Sequence, residues 1–190
     1  MEVDKGSDNK ITVVIYEMLG TALFLYGILV SRGQELAVPL TLFACIVIFG
    51  NVTGGHFNPA VSLGVWIARG KLLSDLVFLL MIIVGQLVGA FLAIALAWLS
   101  LFAKFDDKFS IRTPAYACPV DVNDAEKACD GADGNGFHYD FQAIYTQVIC
   151  TFIFVSVILM VKGIGKENMA PTSDGMLGPL TVALTLAGLI

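Results

Sequence analysis

The residues with the clearest chemical meaning lie in one run, Thr53-Gly54-Gly55-His56-Phe57-Asn58-Pro59-Ala60-Val61-Ser62. Asn58 is a strong helix N-cap. Pro59 suits the first helical position, where a missing N–H costs nothing. The pattern predicts a helix over 59–68, entered through two glycines and left through Arg69-Gly70-Lys71. Such a helix rises about 15 Å, half the hydrocarbon of a bilayer. Glycines at its entry and basic residues at its exit mark it as re-entrant. The unpaired N–H groups at its start carry partial positive charge, which at mid-membrane would repel cations, protons included. The Asn58 amide can donate hydrogen bonds to an oxygen atom that reaches this point. The carbonyls of Gly54, Gly55 and His56 lack helical partners and are candidate acceptors along the same path. Non-helical backbone at that depth survives only where it lines a cavity or is buried in protein.

A second group with chemical consequence is Glu17, inside the first apolar stretch. An intramembrane carboxylate is costly and calls for a specific partner. His56 or backbone N–H groups of the Gly54–Asn58 loop are the expected partners, in a structural role. Cys45 and Cys150 sit in apolar runs and read as packing residues. Cys118 and Cys129 share a polar loop and could form a disulfide if it faces an oxidising compartment. Asn51-Val52-Thr53 matches a glycosylation sequon at the expected cytoplasmic end of a span, where it would go unused. The run 130–136 faintly resembles a calcium loop but lacks its twelfth-position Glu and flanking helices. No nucleophile–base pair, metal cluster or cofactor motif stands out.

The elements that must position these groups are membrane spans. The chain is 57% hydrophobic and 14% charged, whereas soluble domains carry about 25% charged residues. Phe141 to Val161 and Leu76 to Ala103 contain no charge over 21 and 28 residues, against the roughly 20 needed to span. Five spans are expected: Ile11–Val30, Leu36–Val52, about Ser74–Ala103, Phe141–Val161 and Met176–Ile190. The fold class is therefore an all-α, multi-pass integral membrane protein with one re-entrant half-helix, its first partner the lipid bilayer. Gly85 and Gly89 in the third span, with Ala90 and Ala93, are small residues that let membrane helices approach closely. The segment 104–140 holds four basic and eight acidic residues, which argues against nucleic-acid binding. With the N-terminus inside, cytoplasmic segments hold six Lys/Arg and outer loops five, so charge barely selects an orientation.

The chain also repeats itself. Pro39-Leu40-Thr41 opens the second span and Pro179-Leu180-Thr181 the fifth, while Glu17 in the first span is matched by Gln147 in the fourth. Three spans separate the copies, so the second enters from the opposite side, an inverted repeat of the kind channels and transporters use.

Gly54-Gly55-His56-Phe57-Asn58-Pro59-Ala60-Val61-Ser62 resembles the first signature of the aquaporin and glycerol-facilitator (major intrinsic protein) family. Glu17-Met18-Leu19-Gly20-Thr21 and Gln86-Leu87-Val88-Gly89-Ala90 resemble its first-helix and third-helix motifs. The resemblance runs from about Ile11 to Ile190. It implies a passive, non-enzymatic pore for water or small neutral solutes such as glycerol, assembled as a homotetramer. It implies that Asn58, Pro59 and Ala60 form a pore motif and that Glu17 braces the re-entrant loop. Gln147 stands where the family usually has Glu, so its bracing lacks the charge. By analogy the constriction takes Val38 from the second span and Ile190 from the fifth. Both are aliphatic, which leaves water, glycerol or another small neutral solute open.

The resemblance divides the chain into a cytoplasmic segment (1–10), a first repeat (11–103), an acidic loop (104–140) and a partial second repeat (141–190). The family's second Asn-Pro-Ala, usually followed by Arg, and its sixth span are expected beyond residue 190, in a longer protein or in something else that completes the fold. A non-conducting structural or interaction subunit of a membrane assembly is the alternative reading.

Overall fold

A computed structural model of the chain describes residues 7–31, 34, 36–101, 136–163 and 176–189. These residues form six helices: α1 (Ser7–Val30), α2 (Ala37–Thr53), α3 (Pro59–Arg69), α4 (Leu76–Leu101), α5 (Gly136–Val161) and α6 (Leu177–Leu189). No strand occurs among the described residues. Asn9–Val30, Leu76–Ser100 and Ile144–Val161 are long and apolar enough to cross a membrane, and α2 and α6 are shorter apolar helices. α3 is the half-length helix, with 11 residues.

Two helices start well before their apolar runs. α1 begins at Ser7 rather than Ile11, and α5 at Gly136 rather than Phe141. Polar residues do not end a helix unless they compete for its backbone, and neither extension contains a proline. The backbone of His138 is therefore helical rather than part of a loop. The other limits shift by a few residues at most. Cys118, Cys129 and Ile190 lie outside the described residues, as does all of the 104–140 segment up to residue 135.

The described chain falls into two compact units, residues 1–104 with 154–190, and residues 105–153. In the second, the described structure is the first part of α5, where Ile144, Tyr145, Val148 and Phe152 are exposed. In the first, α1 packs on α4 and α2, α2 on α6, and α3 on α4. Its core gathers Leu42 and Cys45 of α2, Phe57, Val61 and Val65 of α3 and its approach, Phe154 and Ile158 of α5, and Val182 of α6. The outer faces are apolar too: Val77, Val84, Phe91 and Leu99 of α4 are all more than half exposed. An apolar exterior around a core with buried polar groups is what a lipid solvent selects.

The α1–α4 contact is the most extensive among the described helices. A β-carbon on Gly89 would collide with the main-chain carbonyl of Met18. Glycine there lets the two backbones approach, and packing rather than hydrophobic transfer holds helices together in lipid. Tyr26 and Ser100 add a hydrogen bond of 3.0 Å toward one end of the pair, and Lys10 lies 5.7 Å from the Phe78 ring centroid toward the other.

Candidate functional site

α2 stops at Gly54, whose left-handed backbone (φ 86°) returns its N–H to the Gly50 carbonyl at 2.8 Å. Gly55 is also left-handed (φ 68°) and donates its N–H to Thr53 Oγ1 at 2.8 Å. Phe57 follows at φ 46°, the one non-glycine residue in this region among those described. A bulky residue there is strained and persists only where its surroundings over-determine it. Two contacts do so. Its N–H donates to Glu17 Oε2 at 2.8 Å. Its ring lies against Gly20, where any β-carbon would strike it, and meets Phe49 edge-to-face at 6.2 Å.

Glu17 is fully buried. Its Oε1 accepts the His56 N–H at 3.0 Å, and its Oε2 accepts both the Phe57 N–H and the Gln86 amide, at 2.8 and 2.9 Å. The carboxylate thus meets the loop through backbone N–H groups, while the His56 imidazole turns elsewhere: its Nδ1 pairs with Ser62 Oγ at 3.2 Å. Gln86 Nε2 also donates to Ser62 Oγ at 2.9 Å. A closed set of Glu17, Gln86, Ser62 and His56 therefore ties α1, α4, α3 and the loop together. Charge-assisted bonds of this kind are about twice as strong as neutral ones. Gln86 and Ser62 both stand in the motif stretches, yet neither draws notice there as a partner of Glu17. The available signal is that Gln86 is the sole amide in the uncharged run 76–103.

Beyond Phe57 the chain extends (Asn58 φ −153°) and enters α3. Asn58 Oδ1 accepts the Ala60 N–H at 2.8 Å. That bond fixes the amide's orientation, so its NH₂ points away from the cap and meets no partner among the described residues. Asn58 and Ala60 are half-buried and Pro59 is exposed. No hydrogen bond among the described residues ends on the carbonyls of Gly54, Gly55 or His56. The result is a half-helix N-terminus with one fixed amide donor and three unpaired carbonyls upstream of it.

Residues 6–189 match the family described as Major intrinsic protein. This chain belongs to that family. Among curated relatives it is 32% identical over 159 residues to Aquaporin Z of Photorhabdus laumondii, covering 81% of this chain and 58% of that protein. It is 38% identical over 192 residues to Aquaporin-8 of Notomys alexis, covering 95% of this chain and 65% of that protein. It is 28% identical over 182 residues to Glycerol uptake facilitator protein-like 6 of Lactiplantibacillus plantarum, covering 92% and 71%. The chain thus spans less than two thirds of the first and second of these relatives. As a member of this family it is an integral membrane protein.

The remaining sequence-derived residues are not members of this hydrogen-bond set. Val38 is half-buried in the first turn of α2. Gln147 lies exposed on α5 in the second unit. Cys45 is buried and Cys150 half-buried, both as free thiols. Among the described residues no three His, Cys, Asp or Glu side chains group as metal ligands.

Proposed function

We propose that the native protein carrying these residues is a passive, non-enzymatic transmembrane channel for water or small neutral solutes such as glycerol. The observation that carries the reading is the Asn58 amide. Its oxygen is committed to Ala60 N–H, so its NH₂ is presented as a donor at a half-helix N-terminus. A permeating oxygen accepts from that NH₂ and donates to the unpaired carbonyls of Gly54, Gly55 and His56. The partial positive charge behind Pro59 disfavours a cation at the same place. Glu17 holds the loop so that these groups stay aligned. The names of the relatives, two aquaporins and a glycerol facilitator, support the same class of solute.

Finer features belong to the same proposal. Val38 and Ile190 contribute an aliphatic side to the constriction. The chain divides at 1–10, 11–103, 104–140 and 141–190, with the two repeats inverted. The assembly is a homotetramer, which native mass spectrometry in detergent would read as four copies.

The test is osmotic and solute flux with ion conductance, for the native protein and for Asn58→Asp and Asn58→Leu in vesicles. Asp retains a cap acceptor but loses the NH₂ and places a carboxylate in the path. It should raise cation leak and lower neutral flux. Leu also loses the cap, a further cost of about 1 kcal/mol in stability. If both variants fold and match the native protein in flux and ion exclusion, Asn58 does not line a path and the channel reading of this motif is wrong.

A further inference from the structure

The Gly54 turn faces a cation that the hydrogen-bond network around Glu17 does not use. Lys162 is the first residue after α5 and belongs to the same unit as the loop. A β-carbon built on Gly54 would lie 3.3 Å from Lys162 Nζ and 3.5 Å from His56 Nε2. Both nitrogens therefore converge on one side of Gly54, and Gly54 itself is exposed. Lys162 is half-buried, with its main chain held by N–H donation to the Ile158 carbonyl at 3.0 Å.

We propose that Lys162 is a specificity-determining residue: its ammonium sets a fixed positive charge beside the Gly54–His56 turn and rejects cations before they reach Asn58. This rests on the channel reading above. It adds to the half-helix terminus a full unit charge, at a place where the loop's unpaired carbonyls would otherwise attract cations. A partial charge at a helix end is about half an elementary charge, and its influence fades within a turn. A unit charge is about twice that size and, even partly screened, acts over several ångströms.

The charged groups that face Lys162 are Glu17 from α1 and Arg69 at the end of α3, with the His56 imidazole in the turn itself. Glu17 offsets part of the Lys162 charge, but Arg69 has the same sign as Lys162, so the three groups together leave an excess of positive charge. Burial pushes the Lys162 ammonium down to about 8, with Glu17 raising it and Arg69 lowering it further. The charge is present below that pH and is lost as pH rises through it. Arginine at this position would stay charged throughout.

The experiment reads the ratio of sodium leak to osmotic water flux for the native protein, Lys162→Met and Lys162→Arg in vesicles, from pH 6.5 to 9.5. The ratio should rise about tenfold in Lys162→Met, as expected for one unit charge acting at close range in a partly screened site. In Lys162→Arg it should stay low at every pH. In the native protein it should climb as pH passes about 8. Water flux with the same low ratio in native and Met proteins, and no climb with pH, overturns the role of Lys162 and leaves the channel reading standing. If Lys162→Met fails to fold, the native pH profile set against that of Lys162→Arg decides the matter: a climb in the native protein alone supports the role of Lys162, and parallel profiles overturn it. A native protein that carries neither osmotic nor neutral-solute flux overturns both readings.

Discussion

The opening turns of α2 and α6 are built alike, although 140 positions separate them in the sequence. In each, proline is the third helical residue, where its missing N–H breaks no intrahelical bond. In each, a threonine hydroxyl donates to the carbonyl four residues back: Thr41 to Ala37 at 2.7 Å, Thr181 to Leu177 at 2.8 Å. Leu40 and Leu180 are exposed, while Leu42 and Val182 are buried. The helices before them carry the other matched pair, whose burial differs. Glu17 is fully buried with three hydrogen bonds, whereas Gln147 lies exposed on α5. The turn is copied because a few neighbouring residues dictate it. The brace around Glu17 depends on Gln86, Ser62 and two loop N–H groups that come from three separate stretches of the chain.

Glu17→Gln breaks this comparison most directly, since it gives the first site the residue of the second. The glutamine retains one acceptor oxygen, and its NH₂ faces either the His56 N–H or both the Phe57 N–H and the Gln86 amide. A donor would then meet a donor in a fully buried site. The expected loss is about 2–4 kcal/mol, the cost of leaving buried polar groups unpaired when a charged partner is removed. Thermal unfolding in detergent should show a clear drop in midpoint, and solute flux should fall as the Phe57 backbone relaxes from φ 46°. A midpoint and flux equal to the native values would mean that the carboxylate does not hold the loop.

Gly89→Ala against Gly188→Ala sharpens it next. The added methyl at position 89 strikes the Met18 carbonyl, so α1 and α4 must part, and the Glu17–Gln86 bond must stretch with them. Overpacking of this kind costs about 1–3 kcal/mol. At Gly188 in α6 nothing described lies within 4 Å of the added carbon. Alanine there should be neutral or stabilise by up to about 1 kcal/mol through helix propensity. Equal effects at the two glycines would show that the α1–α4 approach is not close enough to matter.

Much of the architecture is legible in the sequence because lipid leaves few choices. Uncharged runs must be helices there, and Asn58-Pro59 after two glycines marks a helix start. The all-helical spans and the family follow from those signals. The extensions of α1 and α5 past their apolar runs are not legible, because polarity marks the membrane boundary and not the helix end. Phe57 in a left-handed conformation is not legible either: aromatic residues rarely adopt it, and the reason lies across the fold in Gly20 and Glu17. Lys162 is silent in the sequence for the same reason. Its meaning comes from standing beside Gly54, a residue more than a hundred positions away.

Thr41→Ala against Thr181→Ala is the smallest expected effect and the finest test of how alike the two turns are. Their local energetics should match. Each loses a hydroxyl bonded only within its own helix, and each gains the helix propensity of alanine, about 0.5 kcal/mol. Their surroundings do not match. Thr41 packs onto Gly27 of α1, whose β-carbon position lies 2.5 Å from Thr41 Cγ2, while Thr181 is exposed. Removing the Thr41 methyl opens a gap between helices that are held together by packing. The forfeited dispersion attraction there outweighs the gain in propensity. Thr41→Ala should therefore destabilise by about 1 kcal/mol, the scale of one buried methyl group. Thr181→Ala should leave stability unchanged or raise it by about 0.5 kcal/mol, the propensity term alone. Paired thermal midpoints in the same detergent decide the matter. If the two variants shift together, the turns are alike in context as well as in hydrogen bonding, and α1 packing does not distinguish the first from the second.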